Sequence, residues 1–374
     1  MIEYFIQLTA FIVAQMITLG FIGGVLSGFI GSGGAFFMTP GMMNLGVPGV
    51  IAVGSNITHK FGKALMGSKK HGEMGNVDKK MGLFMLITAA IGIRLAVWVS
   101  TLLFSGGSKS GHGEHSPAAD LYISSVFVGV LTLVALSMLR DVIRSAKSAE
   151  AGPSRRMTEL LGRIKLRPMI HFPTADVRVS LWVVLAVGLA TGYLAGTIGV
   201  GGFIGVPAMI YVFGMPTAVA AGTELYLAVF MGAFGALNYA FEGMVDLRLS
   251  MLLYLGSLVG VYVGAYGTKV VKEVMIRMVT CLIILLCVLS RAIAMPAYLR
   301  QLGWLSFAPG WDRYFNGASK VLLFVSGISG AAIILVAVIR AYIQRMRVNA
   351  TLAFTPPRPG QNGAATRAAS SSKT

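Results

Sequence analysis

Long apolar runs alternate with short polar breaks along this chain. Runs near 8–30, 34–47, 49–68, 81–104 and 120–139 are followed by 179–198, 202–214, 217–240, 248–268 and 276–296, with a last one at 320–341. Most approach the roughly 20 residues that carry a helix across a bilayer. The second run in each group of five is short. It starts at a glycine cluster, Gly31-Ser32-Gly33-Gly34 or Gly199-Val200-Gly201-Gly202, with Pro40 or Pro207 soon after. These two segments are expected to be half-helices or re-entrant turns rather than full crossings.

The two groups are copies of one unit. Residues 20–92 recur 168 positions later with no gap, so that Gly20, Gly24, Gly28, Gly54, Val77, Asp78 and Gly92 return as Gly188, Gly192, Gly196, Gly222, Val245, Asp246 and Gly260. Duplicated hydrophobic segments interrupted at matching places are the strongest sequence pointer to a transporter's binding site. The expected fold is therefore an all-α polytopic membrane protein: two inverted repeats of about five membrane segments with broken or re-entrant helices, plus one C-terminal span. Residues 1–139 form the first repeat, 140–178 a basic loop and 179–296 the second repeat. Residues 297–343 form an aromatic-rich outer interfacial segment with the last span, and 344–374 a disordered cytoplasmic tail.

Lysine and arginine set the orientation. Segment 140–178 carries Arg140, Arg144, Lys147, Arg155, Arg156, Arg163, Lys165, Arg167 and Arg178, and segment 69–80 carries Lys69, Lys70, Lys79 and Lys80. Both are expected on the cytoplasmic side, with the basic start of the tail. Segment 105–119, whose one basic residue is Lys109, is expected opposite. An odd number of segments per unit turns the second copy upside down. Consistently, Gly75-Asn76-Val77-Asp78 is flanked by four lysines, while Gly243-Met244-Val245-Asp246 has Glu242 before it and Arg248 after it.

Composition narrows the class further. With 55% hydrophobic and 12% charged residues in 374, the chain is too apolar for a soluble protein and places itself in a cell (inner) membrane. A formal charge of +17 would point to nucleic acid in a soluble domain, but here it is crowded between membrane segments. The expected partners are a small anionic solute and lipid, no nucleic acid, and in assembly a homodimer is compatible. Glu3 precedes a first run too long for a signal peptide, which reads as a retained span. Cys281 and Cys287 have no metal or redox spacing and read as small core residues.

The candidate chemistry lies at the breaks and just after them. Ser32, Gly33, Gly34, Gly201 and Gly202 sit where a following helix would aim free N–H groups at an anion, although glycines also simply let membrane helices pack closely. Ser55, Asn56, Thr58, His59, Lys60 and Lys63 fall in the third segment, with Thr223, Glu224 and Tyr226 in the matching stretch of the eighth. Asn56, Lys60 and Lys63 share a helix face by spacing. Ionisable groups at this depth must face protein or water, since exposing each to lipid costs about 2.5–3.5 kcal/mol or more.

Lys60 is thus a candidate anion ligand with Asn56 and Thr223, and Glu224 or His59 a candidate coupling group. The alternative is a structural ion pair of Glu224 with Lys60 or His59, with Lys63 reaching to the inner surface. Arg94, inside the fourth segment, is a further candidate. His112, Glu114 and His115 form at most a weak metal pattern, so no metal or cofactor is assigned. No nucleotide-binding loop and no nucleophile-and-base set occurs, so no enzymatic role is expected.

The doubled glycine turn, the Gly-x-Pro turns at 46–48 and 214–216, Gly54-Ser55 and Gly222-Thr223, and the two Gly-x-Val-Asp motifs together resemble the TauE/SafE family over most of residues 20–270. That resemblance implies a permease for sulfur-containing anions such as sulfite or sulfonates, coupled to protons. Asn56 and Glu224 depart from it, standing where a small hydroxyl residue is more typical. A passive anion channel and a non-transporting membrane subunit of a sulfur-metabolism complex are the other readings the sequence leaves open.

Overall fold

The computed structural model describes residues 6–30, 34–107, 116–147, 167–199, 201–271 and 273–353, and these are overwhelmingly helical. The first repeat contains α1 (Ala10–Ile30), α2 (Ala35–Asn44), α3 (Gly49–Glu73), α4 (Lys79–Gly107) and α5 (Pro117–Lys147). The second contains α6 (Leu181–Ile198), α7 (Gly202–Pro207) continuing as a π-helical turn over Ala208–Val212, α8 (Thr217–Phe241), α9 (Leu247–Val270) and α10 (Glu273–Gln301). The last helix is α11 (Trp311–Ala353).

Eight of these eleven helices are long and apolar enough to cross a membrane. The other three are α2, α3 and α7. At about 1.5 Å per residue, the ten-residue α2 is half the length that a hydrocarbon core of about 30 Å requires. Helix α3 is long enough but too polar, and its polar residues up to Lys63 are turned inward, while Lys69, Lys70 and Glu73 at its end are exposed. Asn56 and His59 are buried, and Lys60 and Lys63 are half-buried.

Packing repeats with the same offset as the sequence. Gly20, Gly24 and Gly28 of α1 lie against the backbone of Leu253, Ser257 and Val261 of α9. Their copies Gly188, Gly192 and Gly196 of α6 lie against Met85, Ala89 and Ile93 of α4, each again 168 positions away. Within each pair the numbers rise together, so the helices run parallel. Corresponding helices meet head to tail instead. Gly54, Ile57, Phe61 and Gly67 of α3 meet Tyr239, Gly235, Gly232 and Leu225 of α8, and Ser124 and Ala135 of α5 meet Arg291 and Cys281 of α10. Apolar burial hardly drives helix association inside lipid, so these close backbone approaches between small residues supply the packing energy.

The Gly-x-Val-Asp motifs close the turns before α4 and α9. Gly75 and Gly243 adopt φ of +73° and +71°, a left-handed turn that favours glycine. Asp78 then accepts from Met81 N at 2.9 Å and Asp246 from Arg248 N at 2.9 Å, capping the next helix. Asp78→Ala and Asp246→Ala are each expected to cost about 0.5–2 kcal/mol, read as a lowered midpoint of thermal unfolding in detergent.

Two features differ from the sequence expectation. The end of the basic segment holds a hairpin of β1 (Met169–Phe172) and β2 (Val177–Ser180), pairing Met169 with Ser180 and Phe172 with Val177. Asp78 anchors it through Ala175 N at 3.3 Å, and Lys80 donates to the His171 carbonyl at 3.0 Å. The stretch expected as an outer interfacial segment after 296 also begins inside a helix. Helix α10 continues through Pro296 to Gln301, and α11 begins at Trp311. Tyr298 stays on this helix, its hydroxyl held by Arg291 two turns earlier at 2.9 Å.

Candidate functional site

Helix α3 stands between the repeats, and its polar side chains fan out to four neighbours. Fully buried Asn56 donates from Nδ2 to the Ala35 carbonyl (3.0 Å) and to Thr39 Oγ1 (2.8 Å), both on α2. Thr39 passes the chain on, donating to the Ile198 carbonyl at 3.1 Å, where α6 ends. The first glycine break is thereby tied to the second. Gly199 follows with φ +76°, and a β-carbon there would lie 2.9 Å from Asn56 Nδ2, so both its conformation and its size are fixed by the turn.

Lys60 faces α8, with Nζ 3.9 Å from Glu224 Oε1. That is ion-pair distance without a hydrogen bond. The Glu224 side chain is 4% exposed, and neither carboxylate oxygen has a hydrogen-bond partner among the described residues. The carboxylate rests over Gly205 of α7, beside Thr191 of α6, whose hydroxyl is also buried and unpartnered. Asn56 Oδ1, one turn before Lys60 on α3, is likewise buried without a partner. Buried polar atoms nearly always find partners, so the unsatisfied Glu224 carboxylate beside the unsatisfied Thr191 hydroxyl marks this region.

His59 turns the other way. Its Nε2 lies 2.8 Å from Ser257 Oγ on α9, and its ring packs against Tyr254 with centroids 4.6 Å apart. Lys63 turns to α1, where it donates to Ser27 Oγ. The shared face inferred for Asn56, Lys60 and Lys63 is thus divided among α2, α8 and α1. Of the two sequence candidates for an ion pair with Glu224, Lys60 is the one the structure brings to it.

Thr223 Oγ1 accepts from Asp78 N at 2.9 Å, and its counterpart Ser55 accepts from Asp246 N at 3.1 Å. Both hydroxyls therefore hold a Gly-x-Val-Asp turn. Among the glycines, Gly34 is pressed against the Gly23 carbonyl of α1, and a β-carbon on Gly201 would meet Ala195 Cβ at 2.8 Å. Gly202, the first residue of α7, is buried. Ser32 and Gly33 lie outside the described residues, as do His112, Glu114 and His115. Arg94 is well exposed and bonds Glu242 and Asn238 at 3.3 Å, away from the Lys60 cluster. No group of three or more potential metal ligands occurs among the described residues.

Sequence reading passed over Arg291. It is 1% exposed and joins Asn44 Oδ1 (2.9 Å), Ser124 Oγ (3.0 Å) and Tyr298 OH, while Asp120 accepts from Gly49 N at 2.7 Å nearby. Together these bonds pin the turn between α2 and α3 to α5 and α10. The signal was present: an arginine near the end of an otherwise apolar run is a functional candidate by default.

A family model described as sulfite exporter TauE/SafE matches residues 16–291. The chain is 27% identical to the probable membrane transporter protein YjnA of Bacillus subtilis over 67% of this chain and 89% of that protein. It is 25% identical to the probable membrane transporter protein YdhB of the same organism, over 70% and 93%. A probable membrane transporter protein of Xylella fastidiosa is 38% identical over 22% of this chain and 31% of its own. No solved structure matches. With a family match over most of its length and eight helices fit to span a bilayer, this multi-pass membrane protein belongs to the sulfite exporter TauE/SafE family.

Proposed function

We propose that the protein is a secondary transporter for a small sulfur oxyanion, sulfite or a sulfonate, driven by protons, with Lys60 as the principal anion ligand. The observation that carries this reading is the Lys60–Glu224 pair, buried between the repeats beside the second helix break and left without hydrogen bonds. Lys60 supplies the positive charge that favours an anion over a cation. Asn56 adds an open amide oxygen, and Glu224 is the coupling group. His59 and Thr223 hold α9 and the Asp78 turn in place around them. A tracer-uptake screen over sulfite, sulfonates and sulfate in proteoliposomes tests the reading; flux of none of them under any imposed gradient would reject it.

The repeats are proposed to be inverted about an axis in the membrane plane. Supporting this, each repeat's third helix runs antiparallel to its copy, as does its fifth, and the Gly-x-Val-Asp turns then fall at opposite ends. Cysteines placed in the 75–76 and 243–244 turns are expected to react with an impermeant maleimide from opposite sides of the membrane. Labelling of both from one side would overturn the inversion.

A further inference from the structure

The Lys60–Glu224 pair carries more than a position for the anion. On the reading of this site as an anion carrier's, we propose that it works by counter-ion exchange. Glu224 neutralises Lys60 when the site is empty, and a singly charged oxyanion replaces it on Lys60 only as Glu224 takes up one proton. One proton and one monovalent anion then move together, with no net charge.

The geometry supports an exchangeable pair. A permanent buried ion pair needs hydrogen bonds to offset the desolvation of both charges, yet the 3.9 Å separation provides none and both carboxylate oxygens are unsatisfied. Among the described residues, the elements packed around Glu224 offer no other countercharge in contact with it. From α3 it faces Lys60; of the other basic groups of that helix, His59 is turned to α9 and Lys63 to α1, Lys69 and Lys70 are exposed at its end, and His71 packs by its β-carbon against Gly222 of α8. From α6 it faces Thr191 and from α7 Gly205, both uncharged. Helix α4 places Arg94 against Glu242 near the other end of α8. The repeat makes the assignment specific, because the counterparts of Lys60 and Lys63 in the second copy are Ala228 and Met231, and the counterpart of Glu224 is Asn56. Each charge occurs once.

The charge count follows. An ionised Glu224 beside a bound anion would put two negative charges on one lysine in a low-dielectric site, and like charges at that range drive protonation of the carboxylate. The proton comes from water on the side to which the site is open and resides on a Glu224 oxygen, which can then donate to an anion oxygen. Empty and loaded sites are both neutral, which lowers the cost of carrying either through the membrane interior. A dianion would leave one negative charge uncompensated. The favoured class is therefore a monovalent oxyanion such as a sulfonate.

The test uses the full chain in proteoliposomes with methanesulfonate as a singly charged probe and sulfate as a doubly charged one. An acid-outside gradient is expected to raise methanesulfonate uptake about tenfold, with one proton entering per anion by a pH dye. A potassium–valinomycin potential at equal pH should change it by less than about twofold, and sulfate should move at least tenfold more slowly. In Glu224→Gln, whatever methanesulfonate flux remains should lose its response to the pH gradient. A response retained in Glu224→Gln, or a wild-type rate that follows the potential at equal pH, would overturn the exchange while leaving an anion carrier standing. Absence of flux for every sulfur oxyanion would instead overturn the transport reading itself. If Glu224→Gln does not fold, the wild-type stoichiometry and potential measurements decide alone.

Discussion

Lys60→Ala is expected to remove anion transport almost completely. Truncating one side of a buried charge pair costs about 2–5 kcal/mol in binding, and the half-buried position of Lys60 places it toward the lower end. Each 1.4 kcal/mol is roughly tenfold, so affinity should fall by at least about 30-fold in tracer binding and flux. Part of any loss would come from folding, because the substitution strands the Glu224 carboxylate in an apolar setting. Pairing Lys60→Ala with Glu224→Gln separates the two effects. The double variant should regain the wild-type unfolding midpoint to within a few degrees yet remain without transport. Recovery of transport in the double variant would remove Lys60 from the site.

The second large effect is expected far from any charge. A β-carbon at Gly192 would lie 2.5–2.6 Å from the Cα and carbonyl carbon of Ala89, and one at Gly24 would lie 2.6–3.0 Å from the backbone of Ser257. Neighbouring backbones cannot rotate away as a flexible side chain can, so Gly192→Leu or Gly24→Leu must force two helices apart. Overpacking typically costs about 1–3 kcal/mol, and separating a whole helix pair exceeds that. Both variants are expected to lose most of the monodisperse peak in size-exclusion chromatography. Gly129 of α5 is the control, since nothing lies within 4 Å of a β-carbon there. Gly129→Ala should be neutral or stabilising, by up to about 1 kcal/mol from helix propensity. Equal behaviour at the three positions would remove close backbone packing as the cause.

Much of the architecture was readable because the same constraint is written twice. The short runs after each glycine cluster became α2 and the α7 segment, and all eleven apolar runs became helices, most with boundaries within about five residues, while the last extends well beyond 320–341 to cover Trp311–Ala353. The hairpin at 169–180 escaped because basic residues dominate its surroundings, and alternation over two four-residue strands is too brief to register. Arg291 was missed for a different reason. It lies at the end of a run otherwise read as a plain span, and its partners Asn44, Ser124 and Tyr298 are scattered over three elements.

The site itself was half legible. Spacing put Asn56, Lys60 and Lys63 on one side of a helix and marked Glu224 as the counterpart of Asn56 in the other copy. Spacing could not say which neighbour each would meet, nor that Thr223 would be turned to Asp78 and His59 to Ser257.

Residue order alone was enough to place the chain in a membrane, to reveal its duplicated unit and to mark Lys60 and Glu224 as charged groups within apolar runs. Length, apolarity and the 168-residue echo suffice for that, since lipid tolerates few alternatives to an unbroken helix. Only the tertiary structure decided which helix faces which, and so that Lys60 and Glu224 meet while Asn56 bridges the two breaks. The physical reason is that a lipid-facing surface and a helix-facing surface are both apolar. Periodicity, which identifies a buried face in water, therefore carries little information about partners inside a bilayer.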